Sequence, residues 1–337
     1  MRRKTLITLL QGVIFTGLGV AVVWYMFSQM SAEEKSQMFA AVRSTRLWML
    51  LPVFIVTLGA HWARAKRWQL MLDPLGIHPT TTNTTFAVLI GYLINLVPPR
   101  AGEVAKCTVL ARYEKVPADK MVGTIVAERA WDTICLVIVI GLGLLLQRDE
   151  LGQYLRAELE GRAPTPARVI LMVGILAAIV GTLILVYRKY KNSRVGRFIK
   201  GLAAGIGSIL HIKKRGMFML YTLLIWVGYL LQIQLGFWSI PATQHLGLGP
   251  SLMTLIFGSF AMIAAPGGIG LYPFIVSRML SKGYPVTPAA ADAFGWVSWV
   301  FLTGIVVLLG IASLLLLPLY NRKPHDSQAP VDPEQNP

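Results

Sequence analysis

Apolar positions in this chain come in long blocks, separated by short polar connections, rather than in the short periods of a water-soluble fold. Runs of about 20 apolar residues, enough to cross a hydrocarbon core of about 30 Å, extend over residues 6–27, 47–63, 119–146, 167–187, 217–240 and 289–317. Each predicts a spanning helix. Two other runs are too short. Phe86 to Val97 offers about 12 residues, or about 18 Å of helix, and stops at Pro98-Pro99, because proline lacks a donor and clashes with the preceding turn. The chain then returns from Ala101 to Arg112. Leu252 to Ala264 breaks in the same way at Pro266-Gly267-Gly268-Ile269-Gly270 and resumes from Leu271 to Leu280. Non-crossing backbone is tolerated at membrane depth where protein surrounds it, so both segments are predicted to be re-entrant hairpins.

The resulting order is span, span, hairpin, span, and then the same again from the opposite side. The fold expected is an all-α polytopic membrane protein with about six transmembrane helices and two re-entrant broken hairpins in an inverted repeat. Residues 1–320 form one transmembrane domain, with halves at about 1–147 and 167–320. Residues 321–337, polar and containing Pro324, Pro330, Pro333 and Pro337, bury too little to order themselves and read as a disordered tail. The first run exceeds a signal-peptide core and no small-residue cleavage site follows, so it is expected to stay as a span.

Composition narrows the class further. Hydrophobic residues make up 55% of the 337 and charged residues 14%, against about 25% charged in soluble domains. The formal charge of +16 would suggest nucleic acid in a soluble protein, but the basic residues lie mostly at the ends of apolar runs, which is the positive-inside pattern. Nucleic acid is therefore discounted as a partner. The charge distribution predicts an integral protein of the cell's inner membrane, with both termini and residues 188–215 cytoplasmic. Residues 148–166 and 241–250 are then outside. The basic segment 188–215, with Phe198, Leu202, Ile206, Ile209 and Leu210 at helical spacing, is expected to lie on anionic inner-leaflet lipids as an amphipathic helix. Arg64, Lys66 and Arg67, with Trp62 and Trp68, read as a headgroup-level anchor at the end of the second span.

Candidate chemistry concentrates between Asn95 and Asp132. Arg100, Glu103, Lys106, Glu128, Arg129 and Asp132 fall on the first hairpin and the span after it, where ionisable groups are costly and mark a functional site by default. Three basic and three acidic residues are able to balance one another. Glu128 and Asp132 are four residues apart and share a helix face, with Arg129 three residues before Asp132. Arg100 and Arg129 suit a phosphate, while Asn95 sits just before the break. In the second hairpin, Gly267, Gly268 and Gly270 let backbone approach a ligand. Ion pairs that lock hairpin to span, and tight helix packing at the glycines, are the competing structural readings. Asp292 reads as an exposed group near a span end with no obvious partner. Cys107 and Cys135 have no metal-binding or disulfide spacing, the five histidines form no ligand pair, and His61 reads as an interfacial side chain. No metal or cofactor is expected.

These motifs resemble a known family, that of the lysylphosphatidylglycerol synthase/flippase transmembrane domain, or flippase-like integral membrane proteins. The resemblance rests on Pro99-Arg100-Ala101-Gly102-Glu103 with Lys106, on Glu128-Arg129 with Asp132, and on Pro266 to Gly270, and it covers about residues 5–320. It implies a helical bundle with re-entrant helices that moves a phospholipid between leaflets. Two positions depart from the family pattern: Lys106 stands where Arg is frequent, and Pro273, after Tyr272, stands where a Glu is common. The soluble aminoacyl-transferring domain of synthase members has no counterpart, so a non-enzymatic transporter of an anionic or zwitterionic amphiphile is expected, with a homo-oligomer compatible. The alternatives are an enzyme acting on a lipid-linked sugar or lipid phosphate, with Glu128 or Asp132 as base, and a scaffold for a partner transferase.

Overall fold

The computed structural model describes residues 30–96, 101–150 and 212–322, with residue 152 and isolated positions between 17 and 28. The runs predicted at 6–27 (apart from those isolated positions) and 167–187, the basic segment up to residue 211, Arg100 and the tail from residue 323 lie outside the described residues.

Nine α-helices carry the described chain: α1 (Ala32–Arg43), α2 (Leu50–Leu72), α3 (Thr81–Asn95), α4 (Ala101–Glu114), α5 (Ala118–Leu146), α6 (Arg215–Ser239), α7 (Leu248–Ala264), α8 (Leu271–Gly283) and α9 (Pro288–Tyr320). Among the described residues there is no strand, so this is an all-α polytopic membrane protein. Helices α2, α5, α6 and α9 lie in segments long and apolar enough to cross a membrane. Their outer faces carry exposed Leu142, Leu145, Leu223, Leu308 and Leu315, the arrangement expected where lipid replaces water.

Local sequence explains the starts of several helices. Thr80 and Thr287 cap α3 and α9 by accepting from the amides of Asn83 and Ala290, which satisfies an otherwise orphaned donor, and Pro288 follows at the first turn of α9. Ser31 and Glu34 form a reciprocal capping box on α1.

Both predicted hairpins are present. Helices α3 and α4 fold back on each other so closely that a Cβ placed on Gly102 would stand 1.8 Å from the carbonyl oxygen of Gly91. Gly102→Ala is therefore expected to part the hairpin, at more than the about 1–3 kcal/mol of ordinary overpacking. Thermal unfolding checks this, with Gly59→Ala, which meets nothing within 4 Å, as the neutral reference. At the second break Gly267, Gly268 and Gly270 all have positive φ, at 58°, 66° and 69°, a region that side chains disfavour.

Helix α9 orders the two hairpins. Along its length Gly295 abuts Pro273 and Trp299 donates its indole N–H to the Gly267 carbonyl at 2.8 Å, both on the second hairpin. Further on, Gly310 abuts Leu93, Tyr320 packs against Phe86, and Asn321 bonds Asn83, all on the first. Since α3 runs from Asn83 towards its tip at Leu96, the hairpins approach from opposite ends of α9. Their tips meet where Gly267 faces Leu96.

Helices α2 and α6 form an antiparallel pair, with the Arg46 amide bonded to the Ser239 carbonyl at 2.7 Å and Gly228 packed on Ala60. Each is followed in sequence by a broken hairpin and then a long apolar helix, so the order long helix, hairpin, long helix occurs twice.

The second run does not end at Ala63: α2 continues to Leu72 and buries Arg64, Arg67 and Trp68 to 5%, 0% and 1% exposure. Only Trp62 and Lys66 keep an interfacial character. The reason is helical spacing, which sets Thr57, Ala60, His61, Arg64 and Trp68 on one inward face.

Candidate functional site

Helix α5 delivers the carboxylates. Glu128 lies about 15 Å along the helix from its start at Ala118, and it is 1% exposed. Lys106, from the second turn of α4, reaches its Oε2 at 2.5 Å, and Arg64 of α2 reaches its Oε1 at 2.9 Å. Arg64 also holds Asp132 at 2.9 Å and donates to the Tyr229 hydroxyl of α6 at 2.8 Å. Arg67 completes the enclosure through Asp132 at 2.6 Å. Glu103 faces Lys106 at 3.4 Å. Four helices therefore converge on one ion network, and desolvation of these charges is offset because each has opposite charge at contact distance.

Aromatic rings wall the network. Tyr92 lies beside Arg64, and Trp68 stands 4.6 Å from the Lys106 ammonium while donating to Thr124 at 2.9 Å. Such rings attract a cation electrostatically and shield it from water. His61, expected at the interface, is buried and packs tilted against Tyr92, with ring centroids 4.6 Å apart. It sits on the inward face of α2, one turn before Arg64.

Arg129 differs from the rest. Its side chain is 47% exposed, and its Nη2 stands 3.4, 3.5 and 3.6 Å from Glu103, Glu128 and Asp132. Those contacts hold the guanidinium by charge without saturating its five donors. Within the enclosure, the Nε and Nη1 of Arg67 and the Nε of Arg64 are buried without a hydrogen-bond partner. Among the described residues, Arg64, Arg67, Lys106 and Arg129 thus face only Glu103, Glu128 and Asp132, an excess of one positive charge.

The balanced set of three basic and three acidic residues is accordingly revised. Arg64 and Arg67 belong to the network, and Arg100 lies outside the described residues. Of the other predicted site residues, Glu103, Lys106, Glu128, Arg129 and Asp132 are brought together, whereas Asn95 braces its own hairpin by accepting from the Gly102 amide at 2.8 Å. Gly267, Gly268 and Gly270 sit at the other tip. Part of their backbone is engaged: the Gly268 amide bonds Ala265 at 2.9 Å, the Gly270 carbonyl accepts from the Phe274 amide at 3.2 Å, and the Gly267 carbonyl is taken by Trp299.

Near this break, two neighbouring residues pack into glycine notches. Tyr272 fills the notch at Gly258, and Pro273 lies on Gly295. Asp292, expected to lack a partner, accepts from the Ser277 hydroxyl across α8 and α9. Sequence reading missed Arg64, Arg67, Tyr92 and Tyr229. A signal for the arginines existed, since apolar residues resume at Leu70, Met71 and Leu72 after them, so the charges interrupt a helix rather than end it.

A family model described as the lysylphosphatidylglycerol synthase TM region matches residues 9–310. The curated protein named glycosyltransferase AglD, from Haloferax volcanii, is 24% identical over 293 residues, an alignment taking in 75% of this chain and 46% of that relative. The chain thus spans about half the length of the curated relative it matches. No solved structure matches it.

Proposed function

Because the chain belongs to the family of lysylphosphatidylglycerol synthase transmembrane regions, we propose that it is an inner-membrane lipid flippase or transporter, moving an amphiphile with an anionic or zwitterionic headgroup between leaflets. The observation that carries this reading is Arg129: a half-exposed guanidinium on a buried network with excess positive charge. A phosphate takes the open donors of Arg129 while its acyl chains stay in lipid, and Glu128 with Asp132 holds the arginines in place. Charge-assisted, forked contacts of this kind suit a phosphate better than any neutral group. Residues 1–147 and 167–320 form the two halves of this domain, with the headgroup passing between hairpins that approach from opposite sides. Such paired broken segments are the usual location of a transporter site. Both termini face the cytoplasm in this reading, as the placement of Lys and Arg supports.

Mass spectrometry of the lipid carried through purification tests the proposal. One anionic or zwitterionic phospholipid class is expected to be enriched over the bulk membrane, and the enrichment is expected to fall in Arg129→Gln. A lipid profile equal to the bulk membrane for the parent protein would contradict it.

A second reading is favoured by the relative's printed name and by the half of its length that matches. Under it, the chain is a membrane scaffold or enzyme that works with a partner transferase on a lipid-linked sugar or lipid phosphate. Recovery of a lipid-linked sugar, together with a co-purifying transferase, would favour this alternative over transport.

A further inference from the structure

A cleft of mixed polar and apolar lining lies away from the ion network. It measures about 260 Å³, and its lining includes Lys66, Leu70, Asp73, Lys214, Met217 and Tyr221. It opens between the end of α2, the turn after it and the start of α6. Left-handed Gly76, at φ 71°, folds that turn back and buries Ile77, and Gln69 ties it down through the Pro79 carbonyl at 2.7 Å. Lys66 is aimed by two contacts, a hydrogen bond to Thr81 at 2.8 Å and the ring of Trp62, leaving other ammonium donors available. Lys214 stands at the N-cap of α6 without a side-chain cap. The positive end of a 25-residue helix therefore adds to two lysines. Asp73 is the one carboxylate on the wall, and it faces the His78 ring at 3.1 Å.

We propose that this cleft is a discrete binding site for the phosphate of an anionic membrane lipid, distinct from the site at Arg129. Lys66 and Lys214 grip the phosphate, and the amides at the start of α6 support it. The glycerol region rests on Leu70 and Met217, while Trp62 and Tyr221, packed edge to face at 6.0 Å, mark the headgroup level. Two spanning helices and an apolar wall assign the phosphate to a lipid, not to a soluble ion.

The test titrates the full-length Arg129→Gln protein in detergent with short-chain phosphatidylglycerol and follows binding by native mass spectrometry, so that the proposed transport site does not contribute. One phosphatidylglycerol is expected to bind, phosphatidylcholine not, and millimolar inorganic phosphate is expected not to displace it. Adding Lys66→Gln and Lys214→Gln is expected to weaken binding at least about tenfold. Lys214→Gln alone, on an exposed side chain, weakens it measurably without endangering the fold. Undiminished binding in these variants, absence of binding in the Arg129→Gln background, or one-for-one displacement by inorganic phosphate would overturn the proposal. None of these outcomes bears on transport through Arg129.

Discussion

Glu128→Gln is expected to be the most destabilising conservative change in the protein, costing about 3–5 kcal/mol as the removal of one partner from a buried ion network does. The carboxylate is 1% exposed and lies within 4 Å of Arg64, Arg67, Lys106 and Arg129. No other described carboxylate touches all four. Neutralising it leaves a surplus of buried cations, of which Lys106 keeps only Glu103 at 3.4 Å. Thermal unfolding in lipid nanodiscs measures the effect. A midpoint within a few degrees of the parent would contradict the network as drawn. Adding Lys106→Met removes a cation that the first change orphaned, and is expected to restore part of the loss. The coupling between the two is expected at about 0.5–3 kcal/mol, the range for groups in one network.

The geometry also shows which paired change is informative. Sequence spacing suggests Arg129 with Asp132, three residues apart on one helix. Asp132, however, is bonded at 2.6 and 2.9 Å by Arg67 and Arg64, and only at 3.6 Å by Arg129. Neutralising Asp132 therefore strips partners from two buried arginines and reports on the fold.

The two breaks and the order of the described helices were legible in the sequence because each follows from local chemistry. Pro98-Pro99 stops a helix wherever it occurs, and a 12-residue apolar run is too short to cross whatever surrounds it. Glu128 and Asp132 were legible as a face because helical spacing is local. Arg64 and Arg67 were not, because their role is fixed by which way α2 turns against α5, and that depends on Gly228 admitting Ala60 and on Tyr229 reaching Arg64. The same holds for Asn95 and the glycines. Their residue types announce a hairpin tip, but only the fold shows that Asn95 is consumed by Gly102 and that Gly267 is consumed by Trp299 and Leu96. Ionisable residues within apolar segments thus pointed to α4 and α5 but not to α2 or α6, and did not separate the residues that hold the network from the one left open.

Arg129→Gln is expected to abolish lipid translocation while leaving the fold intact. Its guanidinium is 47% exposed, and each of the carboxylates it faces is also reached by a lysine or another arginine, so no carboxylate is stranded by its loss. Arg129→Lys is expected to fall between parent and Gln, since it keeps the charge but loses the forked geometry.

The most direct measurement is the rate at which a fluorescent phospholipid moves between leaflets of vesicles carrying the purified protein, followed by chemical quenching of the outer leaflet. It is made for headgroups bearing a phosphate with and without an amine. The parent is expected to speed exchange for at least one of them, with Arg129→Gln reduced to the rate of protein-free vesicles at an unchanged unfolding midpoint. Exchange by Arg129→Gln as fast as the parent, or no acceleration by the parent for any headgroup, would contradict transport through this site.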